Sequence, residues 1–312
     1  MASVNIKQEK KYYNKIRSLL EFESLTAEQQ DRLNKELEII HKTKSSKIVY
    51  IAYLAAKKLK EDGKKYCLRG NYADLLLFCL LGITKISPYD DRLKYVLPYQ
   101  VAVGEIELPR KIIEIDINVE PSAMDTVIDY VIDKTNKDSE LFIGGETEND
   151  GDSQVFKRLY IGFMKKGDNT YNHGFSKYEA NPINFIENEI PYIHFFKYYK
   201  SERVYGGDNF WDDCLSMHEP RVNYVNGEPT KVLRCQEDIW QLVDKVDLRS
   251  NYLKMELFKT IKGGLNYKLD DFDLYLLEEA AGDQWDEIYE DIKNIRYLFP
   301  IAHAIEYHEY YK

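Results

Sequence analysis

The sequence predicts an α+β fold, in which helices and strands occupy largely separate stretches of the chain. Helical patterns fill residues 26–63 and return from residue 236 onward. Residues 111–119 have the pattern of a strand, and residues 154–235 are rich in tyrosine and in short β-type runs broken by turn signals such as Asn226-Gly227. With 312 residues, the chain is long enough for one large domain or two moderate ones.

The N-terminal helices follow from capping signals and helical spacing. Thr26 and Gln29 form a capping-box pattern, and apolar residues then recur at helical spacing (Leu33, Leu37 and Ile40). A second helix begins at Ser45 or Ser46 and ends at Gly63. A third, over about residues 72–81, is almost wholly apolar, so we expect it to be buried.

The strand at 111–119 carries the most informative pattern. Side chains alternate along a strand, so Glu114 and Asp116 fall on one face, opposite three isoleucines. Two neighbouring carboxylates repel each other unless a cation lies between them, which is how magnesium sites for phosphoryl transfer are built. The alternative is an edge strand with a solvated polar face.

Composition limits the classes of function. The formal net charge of −10 disfavours broad binding to a phosphate backbone, whereas an acidic surface can mimic DNA and occupy a partner's nucleic-acid site. No apolar run reaches the length of about 18 residues that a membrane helix needs, and the N-terminus lacks the apolar core of a signal peptide. We therefore expect a cytoplasmic protein with no membrane partner. The four cysteines are widely spaced, so no zinc site is expected.

Two further segments bear on the organisation of the chain. Residues 144–153 are acidic and rich in glycine, which predicts an internal linker or excursion. Residues 252–258 are interpreted as a second strand, carrying Glu256. The aromatic run over 192–199 is typical of a buried strand, and its lysines leave base stacking open as an alternative.

Taken in order, several blocks resemble the palm and first fingers element of the bacterial DNA polymerase III alpha subunit, closest to its Gram-positive form, PolC. The family has a Gly-Ser-Arg-Gly-Ser loop, an apolar helix ending in Gly-Ile-Thr, two carboxylate strands and a Phe-Pro-Lys-Ala-His-Ala motif. The matching blocks here are 67–71, 80–88, 111–119, 252–258 and 297–304.

The resemblance implies a polymerase-β-like nucleotidyltransferase palm, with a mixed sheet, flanking helices and a β-rich middle insertion. It divides the chain into N-terminal helices with the first half of the palm (1–144), the β-rich region (145–235), and the second palm half with the start of fingers-like helices (236–312). It also implies a catalytic triad of Glu114, Asp116 and Glu256 that holds Mg²⁺ or Mn²⁺, and a weaker nucleotide-binding set of Arg69, Gly70 and His303.

The departures from the family pattern point away from polymerase activity. Two of three family aspartates are glutamates here, and a misplacement near 1 Å can cost on the order of 100-fold in rate. The phosphate loop has lost its serines, and Asp74 would repel a triphosphate. The fingers lysine is replaced by Ile301, and the chain ends at Lys312, soon after the fingers motif.

Two functions remain open. The first is a non-catalytic pseudo-polymerase, of a kind that suits a phage or mobile element, which binds DNA, a nucleotide or a replication protein. The second is a slow, stand-alone nucleotidyltransferase or DNA polymerase, since carboxylates persist at all three family positions and Mn²⁺ accepts looser geometry than Mg²⁺.

Overall fold

The computed structural model describes residues 6–68, 70–93, 114–119, 121–135, 140–150, 154–164, 192–197, 224–225, 228–229, 232–248, 250–295, 298, 300–303 and 305–306. The chain divides into two compact units. The first comprises Met1–Arg69, Leu76–Lys85 and Lys111–Lys200, and the second comprises Gly70–Leu75, Ile86–Arg110 and Ser201–Lys312.

The helices of the first unit are α1 (Ile6–Arg17), α2 (Ala27–Lys42), α3 (Ser46–Glu61), α4 (Leu76–Leu80) and α5 (Met124–Thr135). Those of the second unit are α6 (Gln236–Lys245), α7 (Asn251–Lys262), α8 (Asp271–Ala281) and α9 (Trp285–Asn294). Within the described residues, no helix is long and apolar enough to cross a membrane.

The predicted capping box at the start of α2 is confirmed. The Gln29 amide donates to Thr26 Oγ1 at 3.3 Å, and the Thr26 amide donates to Gln29 Oε1 at 3.0 Å. The predicted apolar stripe of α2 is buried, since Leu33, Leu37 and Ile40 are each at most 1% exposed. The predicted helix after it is also confirmed as α3, and Gly63 beyond it takes the left-handed conformation that commonly ends a helix.

The predicted apolar helix over 72–81 is shorter than expected. A 3₁₀ turn covers Asn71–Asp74, Leu75 is extended, and α4 then begins at Leu76. The buried carboxylate of Glu36 on α2 accepts hydrogen bonds from the Leu76 and Leu77 amides, at 3.1 Å and 2.7 Å. Glu36 thus satisfies amides at the start of α4 that have no partner within the helix.

A mixed five-stranded sheet lies in the first unit. Its strands are β1 (Tyr66–Leu68), β2 (Glu114–Val119), β3 (Glu140–Asp150), β4 (Gln154–Met164) and β5 (Tyr192–Lys197), in the order β1-β2-β5-β4-β3. Only the β2–β5 pair is parallel among these neighbours. Strands β6 (Tyr224–Val225) and β7 (Glu228–Pro229) form a separate antiparallel pair, and the predicted Asn226-Gly227 turn between them lies outside the described residues.

Two predictions of local structure are wrong. The segment interpreted as a linker, 144–153, is mostly strand β3, paired from Glu140 to Asp150 with β4. A strand ladder is made by backbone groups, so glycines and acidic residues can take part in it. Residues 252–258 form part of helix α7 and not a strand.

The second unit is helical around an apolar core. Trp240 of α6 and Phe258 of α7 meet edge to face, with ring centroids 5.6 Å apart, and Leu277 of α8 and Ile292 of α9 pack in the same cluster. The described structure is therefore α+β, as predicted, with its five-stranded sheet confined to the first unit.

Candidate functional site

Strand β2 places the first two predicted carboxylates. Ile115, Ile117 and Val119 are fully buried, which confirms the predicted core face of the strand, and Asp116 is half-buried. The side chain of Glu114 lies outside the described residues. Because β2 lies between β1 and β5, it is an interior strand of the sheet, and the edge-strand alternative is wrong.

The face of β2 that carries Asp116 also carries Asn118, next to β1. Asn118, two residues further along β2, is completely buried, and its side-chain amide donates to Cys67 Sγ of β1 at 3.3 Å. Access to this face therefore increases from Asn118 to Asp116.

Strand β5 places a histidine at the register position of Asp116, which the sequence analysis missed. In the parallel ladder, Glu114 pairs with Tyr192 and Asp116 pairs with His194. His194 in turn pairs with Tyr160 of β4. A histidine at the register position of a carboxylate is a signal that becomes visible only when the pairing of β2 with β5 is known.

The third predicted carboxylate has a different setting. Glu256 lies on helix α7, in the second unit, and its carboxylate pairs with Lys259 Nζ at 3.0 Å. The Glu256 side chain is 45% exposed. Among the described residues, no three His, Cys, Asp or Glu side chains come together as a metal site, and Glu114 is not part of that comparison.

Two residues of the predicted nucleotide-binding set meet, within the second unit. The backbone N–H of Gly70 donates to His303 Nδ1 at 3.0 Å, and His303 is 2% exposed. Gly70 has a φ of +80°, which favours glycine at this position. Arg69, the third member of the set, lies outside the described residues. The backbone amide of Gly70, in the segment that resembles a phosphate loop, is thus already hydrogen-bonded within the protein.

The second unit also contains two buried carboxylates, Glu237 and Asp74. Glu237, at the start of α6, accepts the Ile301 amide with both oxygens, at 3.0 Å and 3.2 Å. Burial, and then the negative charge of Asp74, raise the pKa of Glu237 well above its usual value. Asp74 is itself only 2% exposed.

The pKa of Lys262, in the same unit, is lowered, so this lysine loses its proton more readily than an ordinary lysine. Burial, and then the charge of Lys259, lower the pKa of Lys262 to about 8, while the charge of Asp74 opposes this shift. Asp74, Glu237 and Lys262 therefore form a charged group in the second unit, in which Asp74 acts on the protonation of the other two. Sequence reasoning identified Asp74 in this group and missed Glu237 and Lys262.

Comparison with protein families finds a match over the first part of the chain. The model of the bacterial DNA polymerase III alpha NTPase domain matches residues 6–145. The match includes Gly70, Asp74, Glu114 and Asp116, and it ends before Glu256 and His303. A comparison with curated proteins finds no match.

Proposed function

We propose, from the premise that residues 6–145 are a DNA polymerase III alpha-like region, that this protein is a non-catalytic relative of the polymerase palm. It acts by binding a nucleotide, DNA or a replication protein. The sheet of the first unit serves as the palm, and β2 carries Glu114 and Asp116, the positions that the resemblance relates to metal ligands.

The setting of Glu256 carries this proposal. A two-metal site needs its carboxylates fixed on rigid elements with little freedom of position, because Mg²⁺ demands near-ideal octahedral geometry. Glu256 is on a helix of the other unit, half-exposed and paired with Lys259. Its resemblance to a third metal ligand rested on the predicted strand, which is absent at 252–258.

The state of the phosphate loop supports the same proposal. In nucleotide-binding loops, backbone amides point at phosphate oxygens. Here the Gly70 amide donates to His303, and Asp74 adds a negative charge four residues later. A triphosphate at this loop would have to displace the His303 contact and overcome the charge of Asp74.

One observation favours the second candidate, a slow metal-dependent nucleotidyltransferase. Glu114 and Asp116 lie on an interior strand, and His194 is the register partner of Asp116. Carboxylates and imidazole are both ligands for Mn²⁺ and related ions. A metal site built from β2 and β5 would need no residue of the second unit.

Primer extension and untemplated nucleotide addition, each with Mg²⁺ or Mn²⁺, distinguish these candidates. We expect the wild-type chain to incorporate no more nucleotide than the Asp116→Ala variant. The matched control is Asp125→Ala, which removes an exposed carboxylate on α5. Incorporation by wild type and Asp125→Ala that is lost in Asp116→Ala would establish the nucleotidyltransferase and overturn the non-catalytic proposal.

Thermal shift with deoxynucleoside triphosphates and with single-stranded DNA tests the binding role. A ligand present at 100 times its Kd stabilises the folded state by about 2.7 kcal/mol, which is readily measured. We expect at least one of these ligands to raise the Tm of the wild-type chain. If neither the nucleotides nor the single-stranded DNA raise the Tm, a protein is the remaining proposed partner of the palm.

A further inference from the structure

The entire net charge of the chain lies in one short segment. Residues 270–291 contain ten Asp or Glu residues and no Lys, Arg or His. The segment therefore carries a formal charge of −10, which equals that of the whole chain. The remaining residues contain 43 acidic and 43 basic side chains, so the rest of the molecule is balanced.

This charge is at the surface of the second unit, along α8 and α9. Eight of the ten carboxylate residues are exposed: Asp270, Asp271, Glu278, Glu279, Asp283, Asp286, Glu287 and Glu290. Among the exposed carboxylates, Glu290 is paired with Lys293, which follows the segment. Like charges at this density repel each other and lower the stability of the compact state.

Large aromatic side chains are exposed in the same place. Phe272 and Tyr275 on α8 are 61% and 55% exposed, and Tyr267, in the 3₁₀ turn before α8, is 78% exposed. Leu277 is the one fully buried residue of α8. Phe272 and Tyr275 are three residues apart and so share a helix face, and Glu278 and Glu279 follow Tyr275 at helical spacing.

Acidic repulsion and aromatic exposure both cost stability, and one kind of ligand relieves both. Arginine and lysine side chains pair with carboxylates and also bind over aromatic rings. DNA and anionic membranes carry the wrong charge. A protein surface rich in arginine and lysine matches the segment in charge and in chemistry, and such surfaces are typical of nucleic-acid-binding sites.

We propose that the exposed face of residues 267–290, hereafter the acidic aromatic surface, docks onto the basic nucleic-acid-binding surface of a partner protein. The partner's arginines and lysines contact the carboxylates of α8 and α9, and its cations lie over Phe272 and Tyr275. The surface then competes with DNA for the partner. This inference goes beyond the proposed palm function, and it holds whether or not the palm binds nucleotides or turns them over.

Competition with DNA for a basic probe tests the proposal. The probe is a short arginine-rich peptide bound to a labelled DNA duplex, and release of the duplex is followed by fluorescence anisotropy as the full chain is added. We expect the full chain to displace the duplex. Removing both rings in Phe272→Ala/Tyr275→Ala leaves the charge unchanged, and the loss of two cation–π contacts should raise the concentration needed by about tenfold.

A matched control removes exposed apolar side chains elsewhere. Tyr252 and Leu253 on α7 are 43% and 50% exposed and lie outside the acidic segment. The variant Tyr252→Ala/Leu253→Ala should displace the duplex as well as wild type does. Circular dichroism of both double variants confirms that each remains folded.

Two results would overturn the proposal. The first is a wild-type chain that fails to displace the duplex at any concentration tested. The second is displacement that is unaffected in Phe272→Ala/Tyr275→Ala, because attraction would then depend on charge alone and not on a docking surface. A charge variant, Glu278→Gln/Glu279→Gln, should weaken displacement and make it less sensitive to salt.

Discussion

Two buried glutamates, one in each unit, bind backbone amides at the start of a helical segment, and they differ in the charge beside them. Glu36 accepts the Leu76 and Leu77 amides and is paired with Arg32, whose Nε lies 2.9 Å from Glu36 Oε1. Glu237 accepts the Ile301 amide, and the charge that acts on it is the negative one of Asp74. Burial raises the pKa of both, Arg32 opposes the shift at Glu36, and Asp74 adds to it at Glu237.

The difference shows that the two units keep buried charge in different ways. Arginine stays protonated at all accessible pH values, so Glu36 has a permanent counter-charge. In the second unit the charge of Asp74 acts both on Glu237 and on Lys262, whose pKa is lowered to about 8. We therefore expect Glu237 and Lys262 of the second unit to make the stability of the protein depend on pH.

The largest effect is expected from Glu36→Ala. The change removes the acceptor of two amides and the carboxylate partner of Arg32, and breaking a buried ion pair typically costs about 3–5 kcal/mol. Urea denaturation measures the loss. The control is Glu38→Ala on the same helix, where an exposed pair with Lys42 should contribute less than about 1 kcal/mol. Equal losses in both variants would contradict this account of Glu36.

Lys262→Met should stabilise the protein near neutral pH. The pKa of Lys262 falls from 10.5 to about 8 on folding, which corresponds to a penalty of up to about 3 kcal/mol. The penalty is complete below pH 8 and is relieved as the pH rises to 10.5, because the unfolded chain then binds more protons. Denaturation series at pH 7 and pH 10 should therefore show a gain that shrinks with pH.

A matched lysine serves as the control for Lys262. Lys262 Nζ lies 5.4 Å from the centroid of the Phe258 ring, and the exposed Lys268 Nζ lies 5.9 Å from that of Tyr267. Lys268→Met removes a similar ring contact without the burial. If Lys268→Met shows the same dependence on pH, burial of Lys262 is not the cause.

The variant Glu237→Gln tests whether the raised pKa of the buried Glu237 lowers the stability of the protein near neutral pH. The pKa of Glu237 is raised on folding, so wild type and variant should be similar in stability at pH 4 and below, where the carboxyl is protonated in both states. As the pH rises, wild type should lose stability relative to the variant, by about 1.4 kcal/mol for each unit by which folding raises the pKa. A difference that stays constant from pH 4 to pH 7 would show that Glu237 has an ordinary pKa.

The smallest effect on stability is expected on the acidic aromatic surface. Phe272→Ala/Tyr275→Ala removes side chains that are mostly solvated, and such substitutions usually change the free energy of unfolding by less than about 0.5 kcal/mol each. Thermal unfolding measures the change. A much larger loss would mean that the two rings support the fold and are not kept for a partner.

Local structure was predicted well where a side chain itself defines it. Thr26 and Gln29 bond each other across one helical turn, so four residues contain the whole signal. The strand at β2 was visible because its buried isoleucines alternate with polar residues. In α7, Met255, Phe258 and Ile261 are buried at intervals of three, which is helical spacing in a segment that was interpreted as a strand.

The candidate site was only partly predictable, because its geometry depends on pairing between distant segments. The sequence identified Gly70 and His303 as separate members of one set, and their hydrogen bond depends on how the second unit folds. His194 was missed because nothing in its own segment indicates a parallel pairing with β2. Glu237 was missed because a glutamate in the first turn of a helix usually indicates a solvated N-terminus.

The strand order of the sheet also governs when the protein can fold. β5 is the last of its five strands to be synthesised, yet it lies between β2 and β4. Until the ribosome has passed residue 197, the side of β2 that will meet β5 has no strand beside it, and an open strand edge invites association with other chains. A fragment ending at residue 145, where the family match ends, would carry that exposed edge permanently. We expect such a fragment to aggregate, and the nascent chain to depend on rapid completion or on a chaperone.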